Sequence, residues 1–347
     1  MGFFAVFHTS KLMSVKHSNI PIFIPELACP HQCIFCNQAK ISGQLQIPQP
    51  QEVPQIIETH LATMNDGREI EVAFFGGSFT GIPLDLQEQY LAQAHAYLQQ
   101  GRIHGIRLST RPDYINGRVI ELLKRYGVTT IELGAQSTND DVLLASGRGH
   151  KSEDIRKASD LILKNGFHLG LQMMIGLPHD TYERSQQTVE EIIALGADNT
   201  RIYPTLVIKG TQLAKLYETG RYQPLSLEEA VSWAKEFYLR FEEAGVTILR
   251  VGLHASEELT PDKSLLAGPY HKSFKELMMT EIWGEILRKA LNGRKEESLT
   301  LEVHPSQINF AWGYAGKNKR WFNENGLEVK IIGKETLGKY ETQVSRR

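Results

Sequence analysis

The sequence predicts an α/β protein built on a parallel sheet, and three observations lead there. Apolar runs of strand length alternate with amphipathic segments of helix length from Ile20 to Tyr203, giving about six strand–helix units. The connections between them are short, as βα and αβ loops are. The uncommon residues collect just after the strands, in FFGGSFTG, RLSTRPD, ELGAQS, QMMIGLP and YPTLV, which is where parallel sheets bind ligands.

Taken in order, residues 1–18 read as a short N-terminal leader and Ile20–Ile24 as the first strand. Val53–Met64 has helical periodicity, and Ile70–Phe75 is the next strand. Leu84–Gln99 is helical and Ile106–Leu108 a strand; Val119–Tyr126 is helical and Thr129–Leu133 a strand. Asp154–Asn165 is helical with Ser152 as its expected N-cap, and His168–Met174 follows as a strand. Tyr182–Leu195 is a helix and Thr200–Tyr203 a strand. Beyond Gly210 the pattern gives helices at Thr211–Glu218 and Leu227–Glu243, a strand at Val246–Val251 and a long amphipathic helix at Lys272–Leu291. The polar run Asn292–Ser298 reads as a linker. The expected domains are therefore a core over 19–291 and a small α/β module over 299–347.

Composition narrows the class. A chain of 347 residues with 41% hydrophobic and 22% charged residues has the make-up of a globular domain with a large core. No apolar run reaches the length of a membrane span. The first ten residues have no basic segment ahead of their apolar ones, so they do not read as a signal peptide. With a formal net charge of −2, nucleic-acid binding would need a local basic patch.

All three cysteines lie in PIFIPELACPHQCIFCNQ (Pro21–Gln38), spaced C-x3-C-x2-C as Cys29, Cys33 and Cys36, with Phe35 before the last. Thiolates this close in sequence converge on one metal centre, and iron–sulfur clusters are held by such thiolates. Three ligands leave one iron of a [4Fe–4S] cube free for a substrate, as open catalytic zinc sites are. A zinc site with His31 as fourth ligand is the alternative, although His31 sits too close to Cys29 and Cys33 for a typical finger. Disulfides are disfavoured by the odd count and by the lack of cysteine elsewhere. Free thiols fit a reducing cytoplasm.

The cysteine spacing resembles the signature of the radical S-adenosylmethionine (SAM) enzymes. The resemblance narrows with Glu132–Ser137 (ELGAQS), Ser146–His150 (SGRGH), Met173–Pro178 (MMIGLP), Ile202–Leu213 and Gly268–Phe274 (GPYHKSF), which look like the radical SAM core of the Elongator catalytic subunit over about residues 19–280. It implies a partial (β/α)6 TIM-like barrel and a [4Fe–4S] cluster on Cys29, Cys33 and Cys36. It also implies a SAM pocket lined by Gly76, Gly77, Ser109, Gln136, Arg148 and Gln172. Gly76-Gly77 matches the family's glycine-rich motif, and Arg148 can pair a carboxylate in bidentate geometry. Ser109 and Gln172 stand where the related coproporphyrinogen oxidases place acidic residues. Met173 and Met174 are expected as pocket wall. His254 and His271 each read as a substrate-facing acid or a structural histidine. The family's activity is reductive cleavage of SAM to a 5′-deoxyadenosyl radical that takes hydrogen from a substrate, with a flavodoxin or ferredoxin as reductant. About fifty residues after the linker are too few for the Elongator subunit's acetyltransferase domain, so its acetyl-CoA chemistry is not expected.

The tail reads strand (Leu299–Val303), helix (Ser306–Trp312), Gly313-Tyr314-Ala315-Gly316, helix (Lys317–Asn325) and strand (Leu327–Ile332). This resembles a minimal KH module, whose GxxG loop clamps a nucleic-acid backbone. It implies RNA, in particular tRNA, bound through the Gly313–Gly316 loop with Lys317, Lys319 and Arg320; the alternative is a structural cap. Two other functions remain open from the sequence: the same core acting on a small metabolite, and a non-catalytic iron–sulfur or zinc RNA-binding protein.

Overall fold

The computed structural model describes residues 16–24, 33–37, 47–64, 67–253, 259–260, 262–292 and 298–346. Cys29, His31, His254 and most of the expected linker lie outside the described residues. Contacts divide the described residues into two compact units, one within 15–272 and one within 273–347.

The first unit is a seven-stranded sheet in the order β1 (Lys16–Ile24), β2 (Arg68–Gly76), β3 (Gly105–Thr110), β4 (Thr130–Gln136), β5 (His168–Ile175), β6 (Asn199–Pro204) and β8 (Thr247–Val251). Every neighbouring pair is parallel. The end strands β1 and β8 do not pair with each other, so this is the expected partial barrel, extended by a seventh strand. Its crossovers are α1 (Val53–Leu61), α2 (Leu84–Gln99), α3 (Gly117–Arg125), α4 (Asp140–Ala145), α5 (Ser152–Lys164) and α6 (Tyr182–Ala194). A short antiparallel pair, β7 (Val207–Ile208) with β9 (Leu265–Ala267), and two helices, α7 (Gln212–Glu218) and α8 (Leu227–Glu243), complete the unit.

Two details correct the sequence reading. Ser152 is the first residue of α5 rather than its cap; the cap is Lys151, whose N–H donates to Asp154. Helix α4 was not foreseen, although Asn139 caps it by accepting from Asp141 and Val142 N–H. Six residues are too few to register a 3.6-residue period.

The strands alternate strictly between two faces. Ile20, Ile22, Val72, Phe74, Ile106, Leu108, Ile131, Leu133, Leu169, Leu171 and Ile202 are all but fully buried on the helix-covered face. The opposite face carries His17, Glu71, Arg107, Ser109, Glu132, Gln136, Gln172, Arg201 and Tyr203. A parallel strand covered on both faces would be apolar throughout; a polar face buried at mid-strand belongs to a lined cleft.

The second unit has a three-stranded sheet, β11 (Glu328–Gly333), β10 (Ser298–Val303) and β12 (Thr342–Arg346), with β10 parallel to β11 and antiparallel to β12. Its helices are α9 (Phe274–Leu291), α10 (Ile308–Trp312) and α11 (Lys317–Glu324). The sequence reading grouped α9 with the core. By contacts it belongs to this unit, where Trp283 is fully buried and its Nε1 donates to Gln307. The strand–helix–loop–helix–strand order of the tail is present, and β12, too polar to stand out in sequence, closes the sheet.

Candidate functional site

The cysteine loop leaves the end of β1, and what surrounds its described part sits at strand ends. Cys36 N–H donates to Cys33 O at 2.9 Å, so Ile34 and Phe35 form a tight turn between the two cysteines. The turn is gripped from two directions. Ile34 N–H donates to Ser146 O at the end of α4, and Leu213 N–H, at the start of α7, donates to Ile34 O at 2.7 Å. Cys33 and Phe35 are buried among Val142, Leu177, Val207, Leu213, Ala214 and Tyr222. Met174 packs against this cluster, as a wall residue should, whereas Met173 is fully buried in the core. Neither Cys33 nor Cys36 is in a disulfide among the described residues.

Gly76 and Gly77 lie against the strand end from which the loop departs. Gly76 pairs with Ile24, and Gly77 N–H donates to Ile24 O. Gly76 has φ +111°, and a Cβ there would meet the Ile24 backbone at 3.1 Å, so both conformation and space demand glycine.

Arg148 reaches the cysteines from the loop after α4. Its Nη1 donates to Cys33 Sγ at 3.1 Å and its Nη2 to Gly134 O, while its buried Nε has no partner. Gln136 completes this corner with φ +67°, an uncommon conformation for a residue with a side chain. Its Oε1 is buried without a hydrogen bond. A Cβ on Gly134 would lie 3.0 Å from Gln136 Nε2 and 3.4 Å from Arg148 Nη2, so the glycine leaves a cradle beside both. His150, two residues on, is buried and held near pKa 3, because burial opposes its charge and Arg148 and Arg111 repel it.

Ser109 and Gln172 meet elsewhere on the polar face. Gln172 Nε2 lies 3.3 Å from Ser109 Oγ and 3.0 Å from Glu132 Oε2. Glu132 is fully buried. Arg201 clamps it in bidentate fashion at 2.6 and 3.0 Å, and Arg107 Nη1 reaches it at 2.9 Å. Arg107 also holds Glu71, which hydrogen-bonds His17 at 2.7 Å. Burial alone would raise the Glu132 carboxyl; the two arginines and Gln172 outweigh it and hold the group ionised. The sequence reading missed this ladder. Its signal was there: Glu71, Arg107, Glu132, Gln172 and Arg201 stand one to a strand, each flanked by residues of the buried face.

Asp180 behaves oppositely. Burial pushes its carboxyl up to about 6, only partly offset by the hydrogen bonds from Ser185 Oγ and Gly176 N–H. A carboxyl raised in the fold takes up protons on folding, so stability falls as pH rises through the window from 3.8 to about 6. Asp180→Asn should therefore match or exceed the parent's melting temperature at pH 8 and lose that advantage at pH 4; equal differences at both values would refute the assignment.

In the C-terminal unit the two loop glycines differ. Gly313 has φ +80°, and a Cβ would sit 2.9 Å from Thr280 Cγ2, so it packs the loop onto α9. Gly316 has φ +72°, its N–H donates to Gly313 O, and a Cβ there would meet only Lys319 and Arg320, at 3.9 and 4.0 Å. Lys317 pairs with Glu281, Arg320 donates to Ala315 O within the loop, and Lys319 Nζ stands 5.9 Å over the Trp312 ring. His271 is half-buried in the first unit. No helix is long and apolar enough to cross a membrane, and no set of three metal-ligating side chains occurs among the described residues.

A polar-faced open parallel sheet with a cysteine loop at one strand end is the architecture of a half-barrel cofactor enzyme. Two family models match this chain, the Radical SAM superfamily over residues 24–192 and the Radical_SAM C-terminal domain over 197–283, and the chain belongs to the radical SAM superfamily of enzymes. It is 30% identical over 190 residues to the tRNA uridine(34) acetyltransferase of Methanocaldococcus infernus, covering 48% of this chain and 36% of that protein. It is 30% identical over 183 residues to Elongator complex protein 3 of Saccharomyces cerevisiae, covering 47% of this chain and 33% of the other. The chain thus spans about a third of the length of these curated relatives. Among solved structures, archaeal M. infernus Elp3 with an N-terminal deletion superposes with a TM-score of 0.63 at 19% identity, covering 85% of this chain and 68% of that one, a shared fold.

Proposed function

We propose that this chain is an iron–sulfur radical SAM enzyme of the reducing cytoplasm whose substrate is RNA, with tRNA the class to test first. The observation that carries the reading is the corner where Arg148 reaches Cys33 Sγ at 3.1 Å beside Gln136 and Gly134. It combines thiols, a buried cation with an unpartnered N–H and an unpartnered buried carbonyl, which is the donor set an anionic cluster and the amino-acid end of SAM require. The residues fit the group: Cys29, Cys33 and Cys36 would hold the cluster, and Gly76, Gly77, Ser109, Gln136, Arg148 and Gln172 would line the SAM pocket. When bound, these cofactors supply a 5′-deoxyadenosyl radical by one-electron reductive cleavage of SAM, the electron coming from a flavodoxin or ferredoxin, and that radical takes hydrogen from the substrate.

The chain's own residues do the rest. The turn at Ile34, fixed by Ser146 and Leu213, sets the direction of the thiols, and the apolar shell around Cys33 and Phe35 keeps water from them. Arg148 donates to Cys33 Sγ and offers its unpartnered Nε to a carboxylate. Glu132 orients Gln172, and so Ser109, through an arginine clamp that cannot rotate without breaking several charged hydrogen bonds. RNA as substrate is supported by the likeness to enzymes named for tRNA uridine 34 and by the KH-like order of the tail.

Anaerobic turnover tests the reading. With reconstituted protein, dithionite and SAM, 5′-deoxyadenosine should form and bulk tRNA should stimulate it; a Lys319→Ala/Arg320→Ala pair should lower that stimulation. Formation indifferent to tRNA would redirect the search to small metabolites. An intact cluster giving no 5′-deoxyadenosine would overturn the enzyme reading.

A further inference from the structure

Arg250 stands apart on the polar face. It pairs in register with Arg201 across β6 and β8, and Arg201 pairs with Gln172, so the three side chains form one transverse row of the cleft. Arg201 is neutralised by Glu132, and Arg107 by Glu132 and Glu71. Arg250 is half-buried and has no hydrogen bond or ion pair among the described residues. Tyr203, two residues beyond Arg201 on the same face, has its hydroxyl 3.5 Å from Arg201 Nη1 and close enough to Arg250 to feel its charge. A half-buried guanidinium without a counter-charge pays for lost solvation that folds otherwise recover by pairing. Here the ladder spends its carboxylates on the other two arginines and leaves this one directed into the cleft at the last strand.

We propose that Arg250, with the Tyr203 hydroxyl beside it, is the anion-binding subsite of the substrate cleft and receives a phosphate or carboxylate oxyanion of the substrate. Guanidinium binds such oxyanions through two parallel N–H bonds, and a phenol adds a third donor. The subsite lies in the same row as Gln172, two strands away across Arg201. The inference rests on the cleft being a substrate site but not on radical chemistry.

The test is arginine-specific labelling of the full, reconstituted protein with phenylglyoxal, read residue by residue by mass spectrometry. Arg250 should label while clamped Arg107 and Arg201 resist. Millimolar inorganic phosphate should slow Arg250 at least about fivefold and leave exposed Arg118 unchanged. Protection by phosphate and not by malonate would support a phosphate-bearing substrate, and protection by both would support an oxyanion subsite open to small acids. No protection by either anion would overturn the proposal, as would full protection by SAM alone, which would assign Arg250 to the cofactor pocket. Protein that never cleaves SAM yet shows phosphate protection at Arg250 would sink the enzyme reading and keep the subsite.

Discussion

Cys33→Ala should yield a folded, iron-poor protein with no SAM cleavage above background. The fold should survive because the turn is held by backbone: Ile34 to Ser146, Leu213 to Ile34 and Cys36 to Cys33. The thiol itself contributes only one small contact to a cluster otherwise built from Phe35, Val142, Leu177, Val207 and Leu213. Cluster assembly should fail, because the remaining thiols cannot complete a three-cysteine set and the Arg148 Nη1 that faced Cys33 would lose its partner. Circular dichroism should match the parent, while iron and sulfide content and 5′-deoxyadenosine formation should fall together. Retained SAM cleavage in this variant would remove the cysteine assignment, and with it the proposed function.

Glu132→Ala should have the largest effect on stability. Its carboxylate is fully buried between Arg107 and Arg201 and accepts from Gln172, so removing it strips buried Arg201 of its counter-charge and leaves Arg107 with Glu71 alone. Breaking a buried pair from one side costs about 3–5 kcal/mol, and here the loss is shared by two partners. The melting temperature should drop by roughly 6–15 °C on that basis. Where the alanine variant fails to fold, Glu132→Gln keeps the shape and one acceptor and should show a smaller loss. A change within one degree for both would mean the arginines find other partners. The same ladder sets an acid limit. Burial would raise the Glu71 carboxyl, but His17 and Arg107 outweigh it and hold it at about 2. A carboxyl depressed in the fold contributes stability that is complete above 4.5 and is lost as pH falls toward 2, so acid unfolding should begin within that window.

Much of this was legible in the chain. The β/α alternation and the placement of uncommon residues after strands lead to the partial barrel, and the family resemblance singled out Gln136 and Arg148, which the fold brings to one corner with Cys33. The glycine pair at Gly76 was legible too, because only glycine supports φ +111° against the Ile24 backbone. Other features were not. Ser109 and Gln172 were read as pocket residues one at a time, whereas they are joined to each other and to Glu132. Helix α4 and strand β12 were too short or too polar to carry a periodic signal. The Gly313–Gly316 loop reads as one motif, yet its first glycine is consumed by packing on Thr280, whereas a side chain at its second would touch only Lys319 and Arg320.

The sequence by itself determined the alternation of strands and helices, the helix-covered face of each strand and the spacing of the three cysteines, because these depend on residue type and on spacings of two to four positions. The tertiary structure decided which polar side chains neutralise one another. Glu132 lies 25 residues from one arginine and 69 from the other, and Arg250 meets Arg201 only through strand register. Which charge is clamped and which is left facing the cleft is set by distances of a few ångströms across the sheet, and Coulomb pairing over that range leaves no periodic trace along the chain.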